Sequence, residues 1–162
     1  MPIPPPDPQL QTLLDKLYLL ADIYSYSPLL INIPESGESQ ELFRGLCLRA
    51  LNGPGNYDSY WIKETVKDKQ GIVSAFLGYV YTAADKLRET KDSQWLEIGA
   101  GATMLAGDYP DWRDYILAVA EVYVTAEECG LDPDPVFAKA GYSEEGYLKN
   151  LPVICERRRF KR

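Results

Sequence analysis

A chain of 162 residues, 46% hydrophobic and 25% charged, has the length and balance of one globular domain with its own core, which excludes wholesale disorder and any need for metal or disulfide staples. Its net charge of -7 is uneven: Cys155 to Arg162 carries +4, leaving -11 on residues 1–154, and so acidic a body repels nucleic-acid phosphates. The chain has no histidine, which excludes Ser-His and Cys-His nucleophilic pairs, imidazole acid–base chemistry and the commonest zinc ligand.

Pro2, Pro4, Pro5, Pro6 and Pro8 fix φ and withhold backbone donors, so residues 1–8 are expected to form an extended arm. Beyond Pro8 the three-four rhythm of Leu10, Leu13, Leu14, Leu17, Leu20, Ala21 and Tyr24 predicts a helix with one apolar face. Residues 27–37, bounded by prolines and rich in Leu and Ile, read as an extended, packed connection. A second helix begins near Ser39, carries Leu42, Phe43, Leu46, Cys47, Ala50 and Leu51, and stops at Asn52-Gly53-Pro54-Gly55. Asp58 can cap a short third helix containing Trp61, Ile62 and Val66.

From Gln70 to Thr90 the apolar surface is broad. Val73, Phe76, Leu77, Val80, Ala84 and Leu87 share a face, with Ile72, Ala75, Tyr79 and Ala83 beside it, so this helix should be covered on two sides. Ser74, Thr82, Asp85 and Glu89 form its polar stripe. Asp92 or Ser93 starts the next helix, which runs through Trp95, Leu96, Ile98 and Met104 and ends by Gly107. Asp108-Tyr109-Pro110-Asp111 then opens another, since an early proline needs no donor and acids favour the positive end of the helix dipole. Trp112, Tyr115, Ile116, Val119, Val122, Tyr123 and Ala126 form its apolar face; Asp114, Glu121, Thr125 and Glu128 form the wet one, and Gly130 stops it. Asp132-Pro133-Asp134-Pro135 leads into a short helix around Val136 and Phe137, and Ser143-Glu144-Glu145 begins a last turn.

The fold class expected is all-α: a single-domain multi-helix bundle over residues 9–154, between the arm of residues 1–8 and a basic tail, 155–162. A weak echo 43 residues apart, Tyr81-Thr82-Ala83-Ala84-Asp85 over Val124-Thr125-Ala126-Glu127-Glu128, would suit stacked helical pairs of the HEAT kind. No apolar run of 18 or more residues and no basic leader is present, so no membrane span is expected and the cytoplasm is the default compartment.

Candidate chemistry is sparse. The string Leu96-Glu97-Ile98-Gly99-Ala100-Gly101-Ala102 resembles the first motif of Rossmann-like S-adenosylmethionine methyltransferases, in which glycines turn tightly after a strand and admit the cofactor to the backbone. Thr103 stands where that family usually has another glycine, and the flanks read as helices, so Gly99 to Ala102 are expected to let a neighbouring helix approach closely. Cys47, Cys129 and Cys155 are too widely spaced for a zinc site; Cys47 and Cys129 are expected as buried thiols. Asp108, Asp111 and Asp114 offer oxygens to a hard cation, but helix starting and solvation account for them, and neither metal nor cofactor is expected. Glu121 would suit a buried general acid or base, yet its alignment with Asp114 and Glu128 predicts solvent exposure.

Twelve tyrosines and three tryptophans are the unusual asset. Tyr57, Tyr60 and Trp61 follow the glycine turn, and Tyr109, Trp112 and Tyr115 surround a helix start; Trp112 and Tyr115 are expected in the core or its rim. Tyr57, Asp58, Trp61, Tyr109, Asp111 and Asp114 are the candidate partner-binding residues. The tail residues Arg157, Arg158, Arg159, Lys161 and Arg162 could meet nucleic acid, but a solvated tail or one folded back on the acidic body is expected. The functional expectation is a non-catalytic protein-binding module for a basic partner, comparable in composition with immunity proteins and other inhibitors of basic toxins. The alternatives are a small enzyme, using a cofactor at Gly99–Gly101 or carboxylate chemistry at Asp108, Asp111 and Glu121, and a structural or adaptor subunit, including a homo-oligomer.

Overall fold

Asp7 opens the fold by accepting a hydrogen bond from the Leu10 amide at 2.8 Å, which satisfies one of the orphan donors of α1 (Pro8–Tyr24). The computed structural model describes residues 7–24, 37–53 and 57–142. Residues 1–6 of the expected arm, the connection 25–36, the terminal turn at Ser143 and the basic tail lie outside these residues.

Among the described residues six helices follow: α2 (Gly37–Asn52), α3 (Tyr57–Val66), α4 (Gln70–Thr90), α5 (Ser93–Leu105), α6 (Trp112–Glu128) and the short α7 (Asp134–Lys139). Among the described residues there is no strand, so the architecture is an all-α multi-helix fold. The boundaries have local causes. Lys91 takes a left-handed conformation, φ 57°, and returns its amide to Leu87 O at 2.7 Å, closing α4. Asp92 caps α5 through Gln94 N at 3.0 Å, and Asp111 caps α6 through Asp114 N at 3.1 Å. Gly130, at φ +79°, ends α6, and the Leu131 amide reaches back to Ala126 O at 2.9 Å.

Helix α5 is the axis of the molecule: α2, α3, α4, α6 and α7 all pack on it. It can be central because its middle is small. Gly99, Ala100, Gly101 and Ala102 are all buried. A Cβ on Gly101 would stand 2.0 Å from the Cys47 carbonyl oxygen of α2; one on Gly99 would meet Val122 Cγ1 of α6 at 3.0 Å and Ala83 Cβ of α4 at 3.4 Å. The larger side chains come from the helices around it. Phe43 of α2 meets Phe76 edge-on at 5.3 Å and stacks on Tyr79 at 6.2 Å, both from α4. Full burial of such a side chain stabilises by about 1.5–3 kcal/mol, so the aromatic and aliphatic layer between α2 and α4 is a major share of the core.

As its broad apolar surface predicts, α4 packs on both α5 and α6. The two stretches of the 43-residue echo lie on α4 and α6, which contact each other directly. Short α7 is pinned by Phe137, whose ring lies 5.5 Å from both Tyr123 and Tyr142. Polar groups inside this region are paired. The Thr103 hydroxyl donates to Ala100 O at 2.7 Å, Tyr142 donates to Thr103 Oγ1 at 2.8 Å, and Tyr115 reaches Thr103 O at 3.1 Å.

Three expectations about α6 are overturned. Thr125, expected on the wet face, is buried, 1% exposed, and accepts a hydrogen bond from Arg88 of α4 at 3.0 Å. Glu121 is buried, 6% exposed, because Arg88 of α4 supplies its charge partner. Trp112 is 63% exposed although it falls on the apolar arc, since it occupies the first helical position, ahead of the packed stretch that starts at Tyr115. Among the described residues, no helix is long and apolar enough to cross a membrane.

Candidate functional site

The residues singled out as partner-binding divide between α3 and the turn joining α5 to α6. On α3, Asp58 is buried, 4% exposed, in the first turn of the helix. Its Oδ2 lies 3.1 Å from an Arg49 terminal nitrogen, and the same guanidinium pairs with Asp7. Burial pushes the Asp58 carboxyl above the usual aspartate range, with Arg49 pulling the other way and the Asp7 charge adding to the rise. For Asp7 the Leu10 amide lowers the pKa, helped by Arg49. Asp58 is thus engaged within the fold, tying α3 to α2 and, through Arg49, to the start of α1.

Trp61 is half-buried against the core, with its indole Nε1 buried and accepted by no hydrogen-bond partner. Tyr60 stands edge-on to it at 5.7 Å and is exposed. The side chain of Tyr57 lies outside the described part. From the same helix Lys63 reaches the α5–α6 turn, where its Nζ would lie 3.0 Å from a Cβ on Gly107. The fold therefore brings the glycine-turn aromatics and the second aromatic group onto neighbouring elements.

In the α5–α6 turn, Tyr109 is half-buried against the core, and its amide donates to Ala106 O at 3.0 Å. Asp108, Asp111 and Asp114 are all exposed. One oxygen of Asp111 is committed to the cap, and the others are stabilised near the positive end of the α6 dipole. Between them stands exposed Trp112, its ring 6.0 Å from that of buried Tyr115. Arg113 is the single cation in the sequence from Asp108 to Asp114, and it too is exposed. Carboxylates and a large aromatic on one edge can bind a cationic surface. Among the described residues, no group of three or more His, Cys, Asp or Glu is arranged to hold a metal ion.

A second acidic region lies at the opposite end of α6. Glu127, Glu128, Asp132 and Asp134 are exposed, and the last turn of the helix has no basic residue. Tyr123 donates to Asp134 at 2.5 Å; burial first, then this acceptor and the surrounding carboxylates, push its phenol pKa up.

The glycine string is in the middle of a helix. A nucleotide-type cofactor needs the backbone of such a string open at a strand-to-helix turn, whereas here the Cys47 carbonyl fills the space beside Gly101 and Val122 fills that beside Gly99. Arg88 donates to Glu121 Oε1 at 2.8 Å and to Thr125 Oγ1 at 3.0 Å, so Glu121 serves to bind α6 to α4. Cys47 is fully buried, and burial pushes its thiol well above the ordinary range. Cys129 is half-buried, with its Sγ 3.7 Å from Leu87 O.

In comparisons with known proteins, no family model matches the chain, and no curated protein or solved structure is significantly similar to it. Sequence reading missed two contacts, Arg49 with Asp58 and Arg88 with Glu121, because each partner arrives from another helix with no local signature. The acidic α6 terminus was legible in its parts, since Glu127, Glu128, Asp132 and Asp134 are near neighbours in sequence.

Proposed function

We propose that this chain is a non-catalytic protein-binding module for a basic partner, with its contact face centred on the α5–α6 turn. The observation that carries the reading is exposed Trp112 among the exposed carboxylates of Asp108, Asp111 and Asp114. Tryptophan supplies the large anchor that dominates many interfaces, and the carboxylates steer a cationic surface onto it. Tyr109 and Trp61 extend the face at its half-buried margin; Asp58 contributes from within, by fixing α3. An inhibitor or immunity-type role toward a basic protein is the functional class that this acidic face fits.

The test is affinity capture from native lysate with stepwise salt elution, comparing the wild-type chain with W112A and with D108N/D114N. A stoichiometric basic partner should be retained at low salt, released as ionic strength rises, and bound at least about tenfold more weakly by either variant, a loss near 1.4 kcal/mol. Retention indifferent both to salt and to the variants overturns the reading.

A further inference from the structure

Helix α1 lies antiparallel on α2. Asp7 pairs with Arg49 near the end of α2, and Leu13, further along α1, lies over Gly45, one turn back, where an added Cβ would stand 3.6 Å from both Leu13 methyl carbons. Leu10, Leu14 and Leu17 are buried, while Gln11 and Asp15 on the other face are exposed. The helix is therefore an amphipathic strap on α2 and α3, held by a leucine stripe and by the Asp7–Arg49 pair. That pair can part without stranding a charge. Arg49 keeps buried Asp58 of α3 as a second partner at 3.1 Å, and exposed Asp7 is easily received by water.

We propose that the groove holding α1 also accepts α1 of a second copy of this chain, so that two molecules exchange their first helices. Fit selects this occupant: a second copy brings the same leucines at the same spacing and the same carboxylate to Arg49. Residues 25–36 join α1 to α2, and a chain of that length can span up to about 40 Å, against about 25 Å for α1 itself, which is enough to deliver the helix to a neighbour. Exposed Tyr18 and Leu19 stand toward the end of α1 from which this connection leaves. Two exchanged chains meet there and can cover apolar area that the closed monomer leaves in water. The exchange uses no residue of the α5–α6 face and no foreign partner, so it stands or falls apart from the binding function proposed above.

The experiment uses the full-length chain in a C129S/C155S background, which keeps fully buried Cys47. L13C and G45C are made as separate variants, mixed, incubated below their Tm and treated with a short bifunctional maleimide. Q11C, whose side chain lies about 200° round α1 from position 13, replaces L13C as the control. Each chain carries half of the contact, so a cross-link between positions 13 and 45 joins two molecules. The proposal expects this heterodimer in at least about tenfold higher yield than the control gives, and a wild-type dimer, sized by light scattering, whose fraction rises with concentration. D7N keeps a capping oxygen but loses the charge. Because closed monomer and exchanged dimer contain the same contact, D7N should speed their interconversion several-fold and change the dimer fraction by less than about twofold. A wild type that stays monomeric at every concentration, a dimer lacking the 13–45 cross-link, or a yield no higher than the control overturns the proposal. Sizing wild type and D7N needs no cysteine variant, so both readouts decide the question even where G45C fails to fold.

Discussion

The α4–α6 side of the molecule and the α1–α3 side each bury a carboxylate against an arginine, and they satisfy it differently. Arg88 is partly exposed and donates hydrogen bonds to both Glu121 and Thr125, so the pair combines charge with geometry. Arg49 is shared by Asp7 and Asp58; Asp58 Oδ2 and Arg49 Nε are both buried without a hydrogen-bond partner. The first arrangement holds two long helices in register. The second holds a junction by Coulomb attraction while leaving polar atoms unsatisfied, which costs much of what the attraction contributes.

The two sides join along α5, and the sharpest way to break the comparison is to break that join. G101A places a Cβ 2.0 Å from a backbone carbonyl that cannot move aside, and should cost about 3 kcal/mol or more, read as a fall in the urea midpoint. G99A meets only side-chain atoms, the nearest at 3.0 Å, and should cost about 1 kcal/mol. If the two substitutions cost the same, the axial packing of α5 on α2 is misassigned.

Within the α4–α6 side, R88A leaves Glu121 buried and unpaired and should cost about 3 kcal/mol, whereas E121Q keeps the shape and should cost about 1 kcal/mol. On the α1–α3 side, D58N removes a charge already poorly satisfied, so its effect at neutral pH should stay within about 1 kcal/mol. A loss at D58N as large as at R88A would erase the contrast between the two pairs.

The smallest effects are in pH dependence, and they oppose each other. The pKa of Asp58 is raised above its ordinary 3.8, so the folded state binds its proton more readily than the unfolded chain and gains relative stability as pH falls toward 3.8. That of Asp7 is lowered from 3.8, so its contribution is present above 3.8 and is lost as pH falls through the lowered value. The stability difference between wild type and D58N should therefore move in favour of wild type as pH drops from neutral to about 4. The difference between wild type and D7N should shrink below about 4, in urea titrations at stepped pH. Slopes of the same sign, both following Asp7, would mean that Arg49 and not burial dominates at Asp58.

Most of the fold was legible in the sequence because each signal was local. The expected span Gln70–Thr90 coincides with α4, and the caps at Asp92 and Asp111 and the stop at Gly130 lie where their chemistry requires. Periodicity misjudged Glu121 because it assigns a polar residue to water unless a partner is known, and Arg88 lies 33 positions away. It misjudged Trp112 for the opposite reason: a residue can fall on the apolar arc yet stand before the point where neighbouring helices begin. In the candidate face, Asp111 was correctly read as a helix-start residue and Asp114 as a solvated one, while the engagement of Asp58 by Arg49 depends on how α2 and α3 meet.

The burial of Cys47 makes the α2–α5 seam its own stopwatch. Its thiol is shut in beside the carbonyl that contacts Gly101, and burial keeps it protonated, so a thiol reagent can react only when the seam opens. Half-buried Cys129 should label early through local fraying at the end of α6, and Cys47 late. The interval between the two reactions would time how much longer the centre of this molecule stays shut than its edge.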